Sequence, residues 1–95
     1  MADKAQLIEQ AKQASENLLT WASFVAYTEF LWQDNTRVTD AEAWQRQWFE
    51  LEILNGLALA EWEEQGRPAD WSSAWRETYQ QDARELAAEL LTLTA

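Results

Sequence analysis

Residues that interrupt a helix are rare in this chain. Two glycines and one proline occur among 95 residues, at Gly56, Gly66 and Pro68, and the other stretch rich in turn-forming residues is 33–39. Between these breaks apolar residues recur at intervals of three and four, no segment of useful length alternates over two, and β-branched residues are few. The sequence therefore predicts an all-α fold in one domain that covers residues 1–95.

The first predicted helix covers residues 3–32. Asp3 can accept hydrogen bonds from the free backbone N–H groups, and Gln6 completes a capping box. Apolar residues four and three apart follow one side of this helix. Beyond Leu18 the other side is apolar as well: Leu19, Phe24, Ala26, Tyr27, Phe30 and Leu31. A helix that is apolar all round is expected to be covered all round.

The second predicted helix covers residues 40–65. Thr39 and Glu42 form its capping box, and the acid in the first turn suits the helix dipole. Gly66 and then Pro68 end it, because glycine adopts the left-handed conformation and proline cannot continue a helix. Gly56 leaves two possibilities open, one continuous helix or two short ones; the unbroken phase of the apolar residues favours the first.

The third predicted helix covers residues 71–92 and has Asp70 as its N-cap. One side of it is apolar and the rest is polar, which is typical of a helix with one buried face. The expected architecture is a small three-helix up-down-up bundle, with four helices if the chain breaks at Gly56. We expect this bundle to associate as a helical dimer.

Two apolar stripes lie on opposite sides of the second predicted helix. At about 100° per residue, the first stripe falls within a band of about 80°. This Trp44 stripe consists of Trp44, Trp48, Leu51, Asn55, Ala58 and Trp62. The Phe49 stripe faces away from it and consists of Phe49, Ile53, Leu57 and Ala60. Acidic pairs separate the two stripes: Glu50 with Glu61, and Glu52 with Glu63.

A small bundle covers one of these stripes easily and both only with difficulty. The second stripe is therefore a candidate for a homodimer interface or for a surface that docks another protein. The alternative is a central helix, packed between the other two, with every aromatic residue in the core. If the chain breaks at Gly56, the stripes need not be opposed. The candidate partner-binding residues are Phe49, Glu50, Ile53, Leu57 and Glu61, together with Trp48 and Trp62.

Seven tryptophans are many for a chain of 95 residues. Tryptophan is common in interface hot spots because its large, rigid side chain buries much apolar area, and it is equally suited to a core. We expect most of the seven to be buried and one or two to be partly exposed.

The net charge of −10 is uneven along the chain. Residues 1–39 carry five acids and three bases, whereas residues 40–95 carry twelve acids and four bases. Such an excess of acids can simply keep a protein soluble, or it can steer association with a basic protein surface. A more specific form of such association is mimicry of a nucleic acid, in which carboxylates take the place of phosphates on the basic surface. Direct binding of a nucleic acid is not expected, since it needs clustered cations.

Several classes of chemistry are excluded by composition. The chain has no Cys and no His, which excludes disulfides, zinc sites built on these ligands, haem held by His, and Cys or His catalysis. The acids lie on outer flanks rather than across a cleft, and no metal-binding motif is present. We therefore expect no catalytic residue, no metal and no cofactor.

A cytoplasmic location is expected. The N-terminus lacks the features of a secretory signal. The most apolar window, residues 17–32, is shorter than the roughly 20 apolar residues of a membrane span.

The sequence favours a non-enzymatic protein that binds a protein partner and inhibits or regulates it. In size, charge and helical class the chain is similar to immunity proteins, antitoxins, phage inhibitors of host machinery and adaptor subunits, a similarity of type rather than of family. Two alternatives stay open: a nucleic-acid mimic that blocks a DNA- or RNA-binding protein, and a structural subunit or adaptor of a larger assembly.

Overall fold

The computed structural model describes residues 4–34 and 36–94 and confirms the all-α class. The described chain contains five α-helices and a short 3₁₀ helix, Leu31–Gln33. The α-helices are α1 (Lys4–Ala14), α2 (Leu18–Thr28), α3 (Ala41–Glu64), α4 (Ser72–Thr78) and α5 (Gln80–Leu91). In the described residues, no helix has the length and apolar character to cross a membrane.

The prediction of one continuous first helix is wrong, because the chain breaks between α1 and α2. The Asn17 side chain accepts a hydrogen bond from the Thr20 backbone N–H at 2.9 Å, and the Thr20 hydroxyl accepts one from the Asn17 N–H at 3.3 Å. This capping box starts a new helix, since asparagine competes with the backbone inside a helix and is favoured at its N-cap. The predicted cap at Asp3 lies outside the described residues.

The second predicted helix is found as α3, continuous through Gly56. Its N-cap is Asp40, whose carboxylate accepts from the Ala43 N–H at 3.0 Å, rather than the predicted Thr39. At its other end Gly66 has a φ of 86°. The Gly66 and Arg67 N–H groups donate to the carbonyls of Glu63 and Trp62, the pattern of a Schellman cap.

The third predicted helix is interrupted at Tyr79, which separates α4 from α5. The Tyr79 ring lies against both Trp71 and Trp75, with centroids 5.9 and 5.8 Å away. Helix α4 starts at Ser72, one residue later than predicted, within the usual uncertainty of a helix end. The N-cap of α4 is Trp71, with no side-chain capping bond, rather than the predicted Asp70. The Ser72 hydroxyl and N–H both donate to the Asp70 carboxylate one residue earlier, and these bonds hold the pKa of Asp70 below its usual value.

Four helices enclose the core. α1 packs on α2, α2 on α3, α3 on α5, and α5 on α1. Three tryptophans, Trp21, Trp44 and Trp75, are completely buried at the centre. The side-chain amide of Gln47 on α3 donates a hydrogen bond to the Leu86 carbonyl on α5 and so connects these two helices.

Candidate functional site

The Trp44 stripe faces the core along the whole of α3. Trp44, Leu51 and Ala58 are completely buried, and Asn55 is buried as well. Trp48 and Trp62 are half-buried and pack against this core. The sequence identified this face correctly because its phase is unbroken across Gly56.

The Phe49 stripe lies on the opposite side of α3 and faces outward. Phe49, Ile53 and Leu57 are 57%, 43% and 61% exposed, and Ala60 is exposed too. The alternative in which every aromatic residue of this helix belongs to the core is therefore wrong. Three large apolar side chains therefore lie outward along one uninterrupted helix.

Acidic side chains border the Phe49 stripe, as predicted. Glu50 and Glu63 are exposed, whereas Glu52 and Glu61 are half-buried. Arg67 contacts Glu63 at 3.5 Å, the one ion pair among the residues that the structure describes. Exposed ion pairs of this kind contribute little to stability.

Glu61 turns from the stripe toward the junction of α4 and α5. Burial, followed by the effect of the neighbouring Glu61 carboxylate, raises the pKa of Tyr79 to about 12. Both effects favour the neutral phenol, because a phenolate would lose hydration and approach a negative charge. Of the predicted binding residues, Glu61 therefore also has a contact within the fold.

Two predicted binding residues lie apart from the Phe49 stripe. The Trp48 indole donates to the Val25 carbonyl at 2.8 Å, and the Trp62 indole donates to the Pro68 carbonyl at 3.0 Å. Both rings point toward neighbouring parts of the fold. The structure thus brings together Phe49, Glu50, Ile53 and Leu57 on one surface and places the two tryptophans behind it.

Three further tryptophans follow the same pattern. Trp44 and Trp75 donate to the carbonyls of Thr28 and Ser15, and Trp71 donates to the side chain of Gln65. Tryptophan is both a core residue and a hydrogen-bond donor. Four of the seven are buried and three, Trp32, Trp48 and Trp62, are half-buried, one more than expected.

A second exposed apolar surface was not predicted as a site. Helix α2 presents Leu19 and Tyr27 outward, 65% and 48% exposed, and Phe30 just beyond its end is 58% exposed. The sequence did signal it, since this segment is apolar all round and was expected to be covered. Within this chain it is not. We name this surface the α2 face; it consists of Leu19, Ser23, Ala26, Tyr27 and Phe30.

An open groove of about 380 Å³ runs between α1 and α2 beside the α2 face. Gln10 and Gln13 of α1 form one wall, and Ser23 and Tyr27 of α2 form the other. The described residues include no group of three or more acidic side chains placed to hold a metal ion. Comparison of the chain with protein families, with curated proteins and with solved structures found no match.

Proposed function

We propose that this protein is a cytoplasmic, non-enzymatic binding protein that docks another protein on its Phe49 stripe and thereby inhibits or regulates it. The observation that supports this proposal is the exposure of Phe49, Ile53 and Leu57 along one continuous helix. Burying a side chain of this kind contributes about 1.5–3 kcal/mol, so the stripe is a substantial part of what a complex needs.

The charge around the stripe favours a partner with basic residues. Helix α3 carries acids on both sides of its apolar surface, and Arg46 is its one cation. A partner that surrounds an apolar groove with Lys or Arg would be attracted at long range and would also find an apolar contact at short range. Pairing α3 with a second α3 would instead place Glu50 and Glu52 near acids of the other copy. We therefore assign the stripe to a different protein.

Leu57→Asp tests the proposal, with Leu19→Asp as the matched control. Both leucines are exposed on the outer side of a helix, 61% and 65% respectively. The immobilised protein is exposed to extract of the source cells, and captured proteins are quantified per bait chain by mass spectrometry. We expect Leu57→Asp to reduce capture about tenfold or more, as loss of one buried leucine implies, and Leu19→Asp to leave it unchanged.

Equal capture by the wild type and by Leu57→Asp would contradict the proposal. The alternative of nucleic-acid mimicry predicts a different set of results. Capture then survives Leu57→Asp, falls steeply with added salt and is reduced by Glu50→Gln combined with Glu52→Gln, because the complex is held by charge attraction, which salt screens, rather than by apolar contacts.

A further inference from the structure

The α2 face differs from the Phe49 stripe in that its own helix carries no charged residue, whereas α3 carries acids on both sides of the stripe. Residues 18–28 include no acid and no base, and Leu19, Ser23, Ala26 and Tyr27 fall within about 100° of one another on the helix. Phe30 lies just beyond the helix, after the half-buried Glu29 at its C-cap. The groove beside it is lined only by uncharged side chains. In a chain with a net charge of −10, this is an unusual stretch of surface.

Charge decides which occupant this surface can accept most easily. A second copy of the chain also has a net charge of −10, so like charges oppose self-association wherever acids line the contact. Acids flank the Phe49 stripe, and the exposed Ile8 lies in a groove with Lys12, Glu16 and Arg84. Of the large exposed apolar surfaces among the described residues, the α2 face is the one whose own helix carries no acid or base, and Glu29 at its C-cap is half-buried.

The order of side-chain sizes on the α2 face suits a two-fold interface. Leu19 and Phe30 lie at its ends, and the small residues Ser23 and Ala26 lie between them. Both pairs are centred on the same point, between residues 24 and 25. In an antiparallel pair of helices, Leu19 of one copy therefore faces Phe30 of the other, and Ser23 faces Ala26. Small residues at the crossing point allow the two helix axes to approach closely.

We infer that the protein forms a homodimer through the α2 face, with the two copies of α2 antiparallel, which leaves both Phe49 stripes free. A stable interface buries about 800 Å² per partner, roughly a seventh of the 5878 Å² surface of this chain. Helix α2 is only about 16 Å long. The wall of α1 that carries Gln10 and Gln13 must therefore contribute, and we expect a dissociation constant in the micromolar range.

Sedimentation equilibrium of the full chain tests this inference, at about 1–500 micromolar. The wild type is expected to approach twice the 11.1 kDa monomer mass. Leu19→Asp and Phe30→Asp are expected to raise the dissociation constant at least tenfold, with unchanged circular dichroism as evidence of folding. Leu57→Asp should leave it unchanged. Added salt should strengthen the dimer, because it screens the repulsion between the two acidic copies.

A wild-type monomer throughout this concentration range would overturn the inference. So would a dimer that Leu57→Asp dissociates and Leu19→Asp does not, because the interface would then lie on α3. The dimer and the partner complex respond to different substitutions, Leu19→Asp and Leu57→Asp respectively. If either the homodimer or the partner complex is not found, the other can therefore still be tested by its own measurement.

Discussion

Indole N–H groups satisfy backbone carbonyls at points where helices of this protein end. Trp44 and Trp48 donate to Thr28 and Val25 in the last turn of α2, whose final carbonyls have no partner within the helix. Trp21 is equally buried, yet its indole nitrogen has no hydrogen-bond partner among the described residues. These residues separate the two contributions of a buried tryptophan, its volume and its hydrogen bond.

Trp44→Phe and Trp21→Phe form a matched pair. Each removes the same volume from a completely buried site, but only the first removes a hydrogen bond. We expect Trp44→Phe to lower the free energy of unfolding by about 1–2 kcal/mol more than Trp21→Phe does. Urea denaturation followed by circular dichroism measures both values. Equal losses would mean that the hydrogen bond to Thr28 contributes nothing.

Tyr79 gives the fold a dependence on alkaline pH. Its pKa is raised from 10.0 to about 12, so between these values the unfolded chain releases the phenolic proton while the folded chain keeps it. Tyr79 therefore stabilises the fold fully below pH 10, and this contribution is lost as the pH rises toward 12. We expect Tyr79→Phe to remove this part of the pH dependence, measured by urea denaturation from pH 9 to about 12.

Glu61→Gln provides a second measurement at the same site. It removes the negative charge that, after burial, raises the pKa of Tyr79. The absorbance titration of the phenol should then shift to lower pH, by less than the whole displacement because burial remains. An unshifted titration would show that Glu61 does not act on Tyr79.

At the scale of the element, the two glycines of this chain have opposite roles. Gly56 lies inside α3, exposed, and a Cβ built there meets nothing within 4 Å. Gly66 ends the same helix with a φ of 86°, a conformation that side chains disfavour. One position merely tolerates glycine, and the other requires it.

Gly56→Ala is expected to raise the free energy of unfolding by about 0.5–1 kcal/mol, because alanine restricts the unfolded chain and favours the helix. Gly66→Ala should lower it by about 1 kcal/mol or more, since the left-handed conformation strains an alanine. Thermal and urea denaturation of both variants check the pair. Destabilisation by Gly56→Ala would indicate that α3 is bent or broken at this position.

The long helix α3 was predictable because its evidence is local. An acid at its start, a glycine at its end and one apolar phase between them all lie within its own sequence. The sequence does not predict the break before α2, although it contains the capping residues Asn17 and Thr20. The apolar periodicity continues through these two residues and favours one long helix. The interruption at Tyr79 has no comparable local signal, since aromatic residues are ordinary inside helices.

At the scale of the whole molecule, the sequence identified the two stripes of α3 but could not say which would be covered. That depends on how many helices reach α3 from other parts of the chain. In the structure α2 and α5 both pack on the Trp44 side, and the Phe49 side is left to solvent. The same tertiary arrangement left the α2 face outward, although its composition suggested a buried helix.

The hydrogen-bonded indoles also provide the molecule with built-in reporters of local opening. Each indole proton exchanges with solvent only when its own junction opens. Trp75 reports on the turn between α1 and α2, Trp44 and Trp48 on the end of α2, and Trp62 and Trp71 on the loop before α4. Five resolved indole N–H signals in a nuclear magnetic resonance spectrum would thus show, without any label, which of these junctions opens first.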